Sequence, residues 1–332
     1  MSVEKINFSV PFNGPIDSGI IWGMDFGPGK LQEVTSCDSP PMGSFRWLHL
    51  NLAHNGARNW IEHAEILPRA VREVLLSQDM HQRALVDGDV VCCVLQDFQR
   101  DFEVRRTDRI GTLRFALTPD AIITARLHPL GSADIVRRQA YEGVHIDGPA
   151  TALDLLVSAI VANIDRPMRE ISVEVQASED SLLAGYAPPP NRKLLEMWRH
   201  LARFHRMLEG MQRVFVHLEE DDDLSPALLP TVEKLIQRLQ SLDSDALGVQ
   251  GQLRLLREEV DFEFNRRINQ NLYMLSIMTA LMLPTTVITG IFGMNTGDLP
   301  FTGTGGTFLA TLLVAGSALA TYLFLRHKGF FR

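Results

Sequence analysis

The chain has 332 residues, with 40 acidic and 32 basic side chains and a net charge of −8. An acidic balance argues against a nucleic-acid binder, because phosphate contacts need lysine and arginine. The three cysteines, Cys37, Cys92 and Cys93, are odd in number and lack CxxC spacing. Neither a disulfide framework nor a zinc knuckle is supported, and reduced thiols in a cytoplasmic domain are the simple reading.

At the N-terminus, Met1-Ser2-Val3-Glu4-Lys5 shows no basic-then-apolar run, so no cleaved signal peptide is expected. Short β-rich runs follow at 19–26, 45–51, 90–98, 110–117 and 121–127, with helical patterns at 57–66, 68–77 and 133–142. Longer helical patterns then cover 150–183 and 191–218, punctuated by Asp147-Gly148-Pro149 and by Pro188-Pro189-Pro190. Strands first and long helices later predict a layered α/β or α+β domain with a helical appendage over 1–225. His200 and His205 lie in a basic helix and read as surface residues.

A new helix is predicted to start at Ser225-Pro226, serine serving as N-cap and proline as the first helical residue. From there Val232, Leu235, Leu239, Leu242, Ala246, Val249, Leu253, Leu256 and Val260 step by threes and fours, a heptad seam over four heptads. Gly248 and Gly251 weaken it, and Asp243 or Asp245 would serve as caps of a restart. The reading is one stalk helix from about Pro226 to Asn295, on the order of 100 Å long at 1.5 Å per residue. A helix of that length needs partners: either the 191–218 helix of the same chain or, as expected here, stalks of other subunits.

No charged residue or histidine occurs from Ile268 to Gly297, and none from Leu299 to Leu325. Each stretch exceeds the roughly 20 apolar residues that cross a hydrocarbon core as a helix. The expected order is therefore a stalk over 226–267, a first span over 268–295, an external loop over 296–306, a second span over 307–325 and a basic tail over 326–332. Past Asn265 lie five basic residues, Arg266, Arg267, Arg326, Lys328 and Arg332, and one acid, Asp298. Removing them from the totals leaves 27 basic and 39 acidic residues in the soluble part. Positive flanks stay in the cytoplasm, so both termini are expected inside a plasma membrane, the bacterial inner membrane.

The first span ends in Leu283-Pro284-Thr285-Thr286-Val287-Ile288-Thr289-Gly290-Ile291-Phe292-Gly293-Met294-Asn295. A proline, a threonine two residues on and a terminal Gly-Met-Asn, before a short loop and a final helix, resemble the end of the first membrane helix in the CorA family of divalent-cation transporters. The resemblance implies a CorA-like funnel, a homopentamer and a pore lined by the first membrane helix. It also implies an outer selectivity ring at Asn295, with Gly293 and Met294 beside it. A ring of neutral amide oxygens suits a cation that keeps its water shell.

Helical spacing gives a pore face: stepping back from Asn295 through Gly290 meets Thr286, Leu283, Thr279, Leu275, Leu272 and Asn269. This line holds most of the segment's polar groups, which in membrane helices face a bundle or a water path. Leu272, Leu275 and Leu283 are the candidate hydrophobic constrictions. Thr279 and Thr286 either face the pore or simply bond their own backbone. Met274, Met278 and Met282 form a stripe off this face and read as packing residues.

The loop Thr296-Gly297-Asp298-Leu299-Pro300-Phe301 lacks the glutamate common in the family's magnesium branch and looks more like the ZntB branch, associated with zinc uptake. That likeness implies proton-coupled uptake, although neither span holds a carboxylate or histidine to relay a proton. Asp298 is either part of an acidic ring at the mouth or a solvated turn residue. Inside the membrane, Glu258, Glu259, Asp261 and Glu263 either pair across subunits as a regulatory metal site or answer Arg254, Arg257, Arg266 and Arg267 as a solvated stripe. Expected partners are further copies of the chain, membrane lipid and divalent cations as cargo, with no cofactor and no nucleic acid. No hydrolase, nucleotide-binding or zinc-protease motif suggests an enzyme. The alternatives are a magnesium, cobalt or nickel channel and, more remotely, a membrane-anchored metal sensor.

Overall fold

The computed structural model describes residues 19–27, 31–34, 43–100, 109–294 and 306–329. The chain divides into two compact units, Met1–Leu256 and Arg257–Arg332.

The first unit is built on a seven-stranded sheet of order β2-β1-β3-β7-β6-β5-β4. Its strands are β1 (Ile20–Phe26), β2 (Gln32–Glu33), β3 (Phe45–Asn51), β4 (Arg83–Asp87), β5 (Val90–Phe98), β6 (Ile110–Leu117) and β7 (Ala121–Arg126). β3 and β7 pair in parallel, Leu48 opposite Ile123, and the other pairs are antiparallel. The central strands are buried almost without interruption, so both sheet faces are covered. Alternation along β5 separates the faces. Cys92 packs into a core with Trp60 and Ile61 of α1 (Asn55–His63) and Val71 and Leu75 of α2 (Arg69–Leu76). Asp97 points the other way and ties β5 to α3 (Gly131–Tyr141) and α4 (Pro149–Leu183), accepting from the Ser132 amide at 3.0 Å and from Asn163 at 3.1 Å. The hairpin partner of α4 is α5 (Asn191–Glu219), which lies against β4. The expected layered α/β domain with a helical appendage is what forms.

Two strands escape the sequence pattern. β2 has only two residues. β4 is short and half-buried, yet Asp87-Gly88-Asp89 before Val90 carries a hairpin signal, and Gly88 takes the positive φ of 61° that such a turn requires.

The interior is stapled by polar groups of low exposure. Arg46 forks onto Asp25, both bonds 2.7 Å, with both residues buried. His49 stacks on Trp22, bonds Thr124 at 2.9 Å and accepts from the Arg126 guanidinium. Burial, helped by Arg126, lowers its pKa to about 3 and keeps it neutral. Burial also pushes the Cys92 thiol up to about 12 and that of Cys93 well above its ordinary value, so both are unreactive.

The last helices are α6 (Leu229–Gly293) and α7 (Gly306–His327). α6 begins one turn later than predicted, because Ser225 and Pro226 form a turn closed by the Leu228 amide on the Ser225 carbonyl at 2.9 Å. It runs through Gly248, Gly251 and Pro284 without a break. The heptad seam finds a different partner from the one expected. Val232, Leu235, Leu239, Leu242, Ala246, Leu253 and Leu256 are buried within the single chain. Lys234 and Arg238 bond Asp154 and Ser158 of α4, and Asp243 bonds His205 of α5 at 2.7 Å. The seam is thus closed by the α4–α5 hairpin rather than left open for other stalks, and His205 is a packed residue rather than a surface one.

Candidate functional site

The second unit contains the end of α6 and all of α7, two helices long and apolar enough to cross a membrane. Partial shielding within this unit is periodic. On α6 it falls on Ile277, Ala280, Leu281, Pro284, Thr285, Ile288 and Phe292; on α7 it falls on Gly306, Leu309, Ala310, Val314, Ser317, Ala318, Thr321 and Leu325. Steps of three and four place each set on one helical face. On α7 that face is mostly small residues, which allow close approach of membrane helices.

The line Asn269, Leu272, Leu275, Thr279, Leu283, Thr286 and Gly290 is exposed throughout. At 3.6 residues per turn it lies about half a turn from the shielded stripe of α6. Leu275, Thr279 and Leu283 line one shallow groove on this face. Continuing the same face backwards meets Asn265, Asp261 and Glu258. Asn265 is a member that the sequence reading missed; extending the line by a further four-residue step would have found it. The four stalk acids are therefore split. Glu258 and Asp261 share the face of the line, while Glu259 and Glu263 lie on other sides, and Glu263 accepts from Arg266 at 3.2 Å. Among the described residues no group of three or more histidine, cysteine or acidic side chains is placed to hold a metal. A site built from these acids would need donors from a second chain.

The threonines bond their own backbone without leaving the exposed line. Thr279 Oγ1 donates to the Leu275 carbonyl and Thr286 Oγ1 to that of Met282, each at 2.8 Å, while both stay on the exposed line. The bond uses the hydroxyl hydrogen and leaves oxygen lone pairs as acceptors. An acceptor favours a cation or the water around it over an anion. Between these polar positions Leu272, Leu275 and Leu283 present only hydrocarbon.

Met274, Met278 and Met282 are exposed beside the line rather than within the shielded stripe. α6 ends at Gly293, and Met294 follows with its amide on the Ile291 carbonyl. Asn295 and Asp298 lie outside the described residues.

Residues 42–327 match the family model described as CorA-like Mg2+ transporter protein. The zinc transport protein ZntB of Yersinia pseudotuberculosis serotype O:1b is 24% identical over 262 residues, covering 76% of this chain and 78% of that protein. Two solved structures share the fold. Full-length CmaX superposes with a TM-score of 0.76 at 22% identity, over 93% of this chain and 98% of that one. The complete CorA magnesium transporter of Methanocaldococcus jannaschii gives 0.75 at 18% identity, over 94% and 99%. With most of its length matched, and with an apolar helix pair behind a layered α/β domain, the chain belongs to the CorA-like Mg2+ transporter family, whose members move metal ions and are not enzymes.

Proposed function

We propose that the chain is one subunit of a homopentameric divalent-cation transporter of the bacterial inner membrane, with zinc taken up through a pore lined by α6. The observation that carries this reading is the line of alternating polar and apolar residues on α6, exposed and turned away from the shielded stripe. Two spans per chain cannot enclose an ion path, so the line needs copies of itself around an axis. Five is the number that the family resemblance implies.

In this reading Asn295 forms the outer ring, with Gly293, Met294 and Asp298 around the mouth. The acceptor oxygens of Thr286, Thr279 and Asn269 pass a hydrated cation inward. Leu283, Leu275 and Leu272 close the path by dewetting when the helices draw together. Glu258 and Asp261 gather cations at the inner end, and Glu263 answers Arg266. Arg266 and Arg267 before the first span, with Arg326 and Lys328 after the second, hold both termini in the cytoplasm. Zinc is preferred over magnesium because the loop lacks the magnesium branch's glutamate and because curated relatives over most of the chain are zinc transport proteins. Proton coupling, if zinc is the cargo, uses groups at the mouth or at the inner acids, since the spans hold no carboxylate or histidine.

Zinc and magnesium flux into liposomes holding the purified protein tests this, with an inward proton gradient imposed or absent and Asn295→Ala alongside. Zinc influx that responds to the gradient and falls in Asn295→Ala is expected. Magnesium flux without zinc flux moves the protein to the channel branch. No flux of either ion from folded oligomer contradicts the reading.

A further inference from the structure

In a chain of net charge −8, one cleft of the first unit is strongly basic. It lies between β4, at the edge of the sheet, and α5. Arg203, Arg206, Arg213 and His217 line it from α5, and His81 and Arg83 from the strand side. Among the described residues no acidic side chain lines it. Asp79 stands at one end, where it bonds both His81 and Arg83.

The α5 residues follow a strict face: 203, 206, 210, 213 and 217 step by three, four, three and four. The middle position is Gly210, which is buried. A side chain there would run into the Gln82 amide, which lies across the glycine. Gln82 Nε2 donates to the Met207 carbonyl at 3.1 Å, and its Oε1 accepts from the Gln96 amide at 3.2 Å. The cleft therefore has a fixed, satisfied polar floor, a row of arginines along its α5 side, and a strand side on which Arg83 is paired with Asp79. Arg206 and Arg213 are exposed and, among the described residues, have no hydrogen-bond or ion-pair partner.

We propose that this cleft binds an extended anion made of linked phosphates, either free or as the chain of a nucleotide. Guanidinium forks match phosphate oxygens in pairs. Arg206 and Arg213 stand about 10 Å apart along the helix axis, which calls for a ligand with several linked charges rather than one phosphate. An acidic peptide fits less well, because an extended strand presents one same-face carboxylate per roughly 7 Å, whereas linked phosphates present several charged oxygens over that length and match the guanidinium forks in pairs.

Calorimetric titration of the full-length protein in detergent, in buffer with excess chelator, tests the proposal. The probes are inorganic tripolyphosphate, ATP, orthophosphate and an oligoglutamate peptide. Tripolyphosphate is expected to saturate at one per chain and to bind more tightly than orthophosphate. Arg213→Gln should weaken it about tenfold and Arg206→Gln/Arg213→Gln about a hundredfold, at one charge-assisted contact per guanidinium. The control Arg192→Gln/Arg199→Gln removes the same charge from the same helix outside the cleft and should change affinity less than threefold. Equal affinity for ATP and tripolyphosphate identifies the phosphate chain as the whole ligand, and tighter ATP identifies a nucleotide; both support the proposal. Absence of saturable binding, preference for oligoglutamate, orthophosphate binding as tightly as tripolyphosphate, or an equal loss in the control would overturn it. Binding is read without transport, so the result is independent of the flux measurement.

Discussion

Asp25 and Arg46 illustrate what single residues contribute to the soluble unit. Their forked pair is buried, so truncating one partner strands a charge. Asp25→Ala should destabilise the unit by about 3–5 kcal/mol in denaturant unfolding. His49 gives a pH prediction with a definite sign. Its folded pKa of about 3 lies below the ordinary 6.5, so the unfolded chain takes up the proton first. Its contribution is complete above pH 6.5 and falls by about 1.4 kcal/mol per pH unit between there and 3. Asp97 acts in the opposite sense, since burial raises its pKa in the folded state. Comparing the pH dependence of unfolding in the wild type and in His49→Gln isolates the histidine: the variant should lose the acid-side slope it provides. None of these residues stood out in the sequence, because a buried aspartate and a surface one read alike until the sheet register is known. The line on α6 was legible, because helical spacing alone sets which residues share a face. Even there the sequence left open whether Thr279 and Thr286 face a pore or bond their own backbone; the backbone bonds form, and a pore role is compatible with them.

Among the elements, α6 shows where pattern stops being informative. A heptad seam says that an apolar stripe must be covered, and nothing in the spacing says by what. The covering is the α4–α5 hairpin of the same chain. Leu239→Ala, at a fully buried seam position, should therefore cost about 2–5 kcal/mol. Because the contact is intramolecular, the loss should not change with protein concentration; a concentration-dependent loss would return the seam to a subunit interface. The sheet was easier to read where strands are buried on both faces, as in β3, β5 and β6, because continuous apolar runs bounded by turns leave few alternatives. β4 was missed because a half-covered edge strand alternates weakly, and the Asp87-Gly88-Asp89 turn was its one clear mark.

At the scale of the whole molecule, the proposed assembly rests on an acidic first part followed by two exposed apolar helices. Large side chains such as Leu272, Leu275 and Leu283 stand in the open on one face of α6, opposite the shielded one. Lipid can cover such a face, but the alternating hydroxyl and amide groups on it would then lie in hydrocarbon. Copies of the chain around a water path satisfy both kinds of residue. Native mass in detergent should accordingly show an oligomer and no stable monomer. The most direct test of the account is cysteine accessibility during zinc flux, in a background with Cys37 replaced by serine and the buried Cys92 and Cys93 retained. Thr279→Cys, on the line, and Met278→Cys, beside it, are each treated with a small charged thiol reagent. Modification at 279 is expected to block most of the flux, and modification at 278 to leave it nearly unchanged. Equal sensitivity at both positions, or block at 278 alone, would contradict the assignment of the pore to this face of α6.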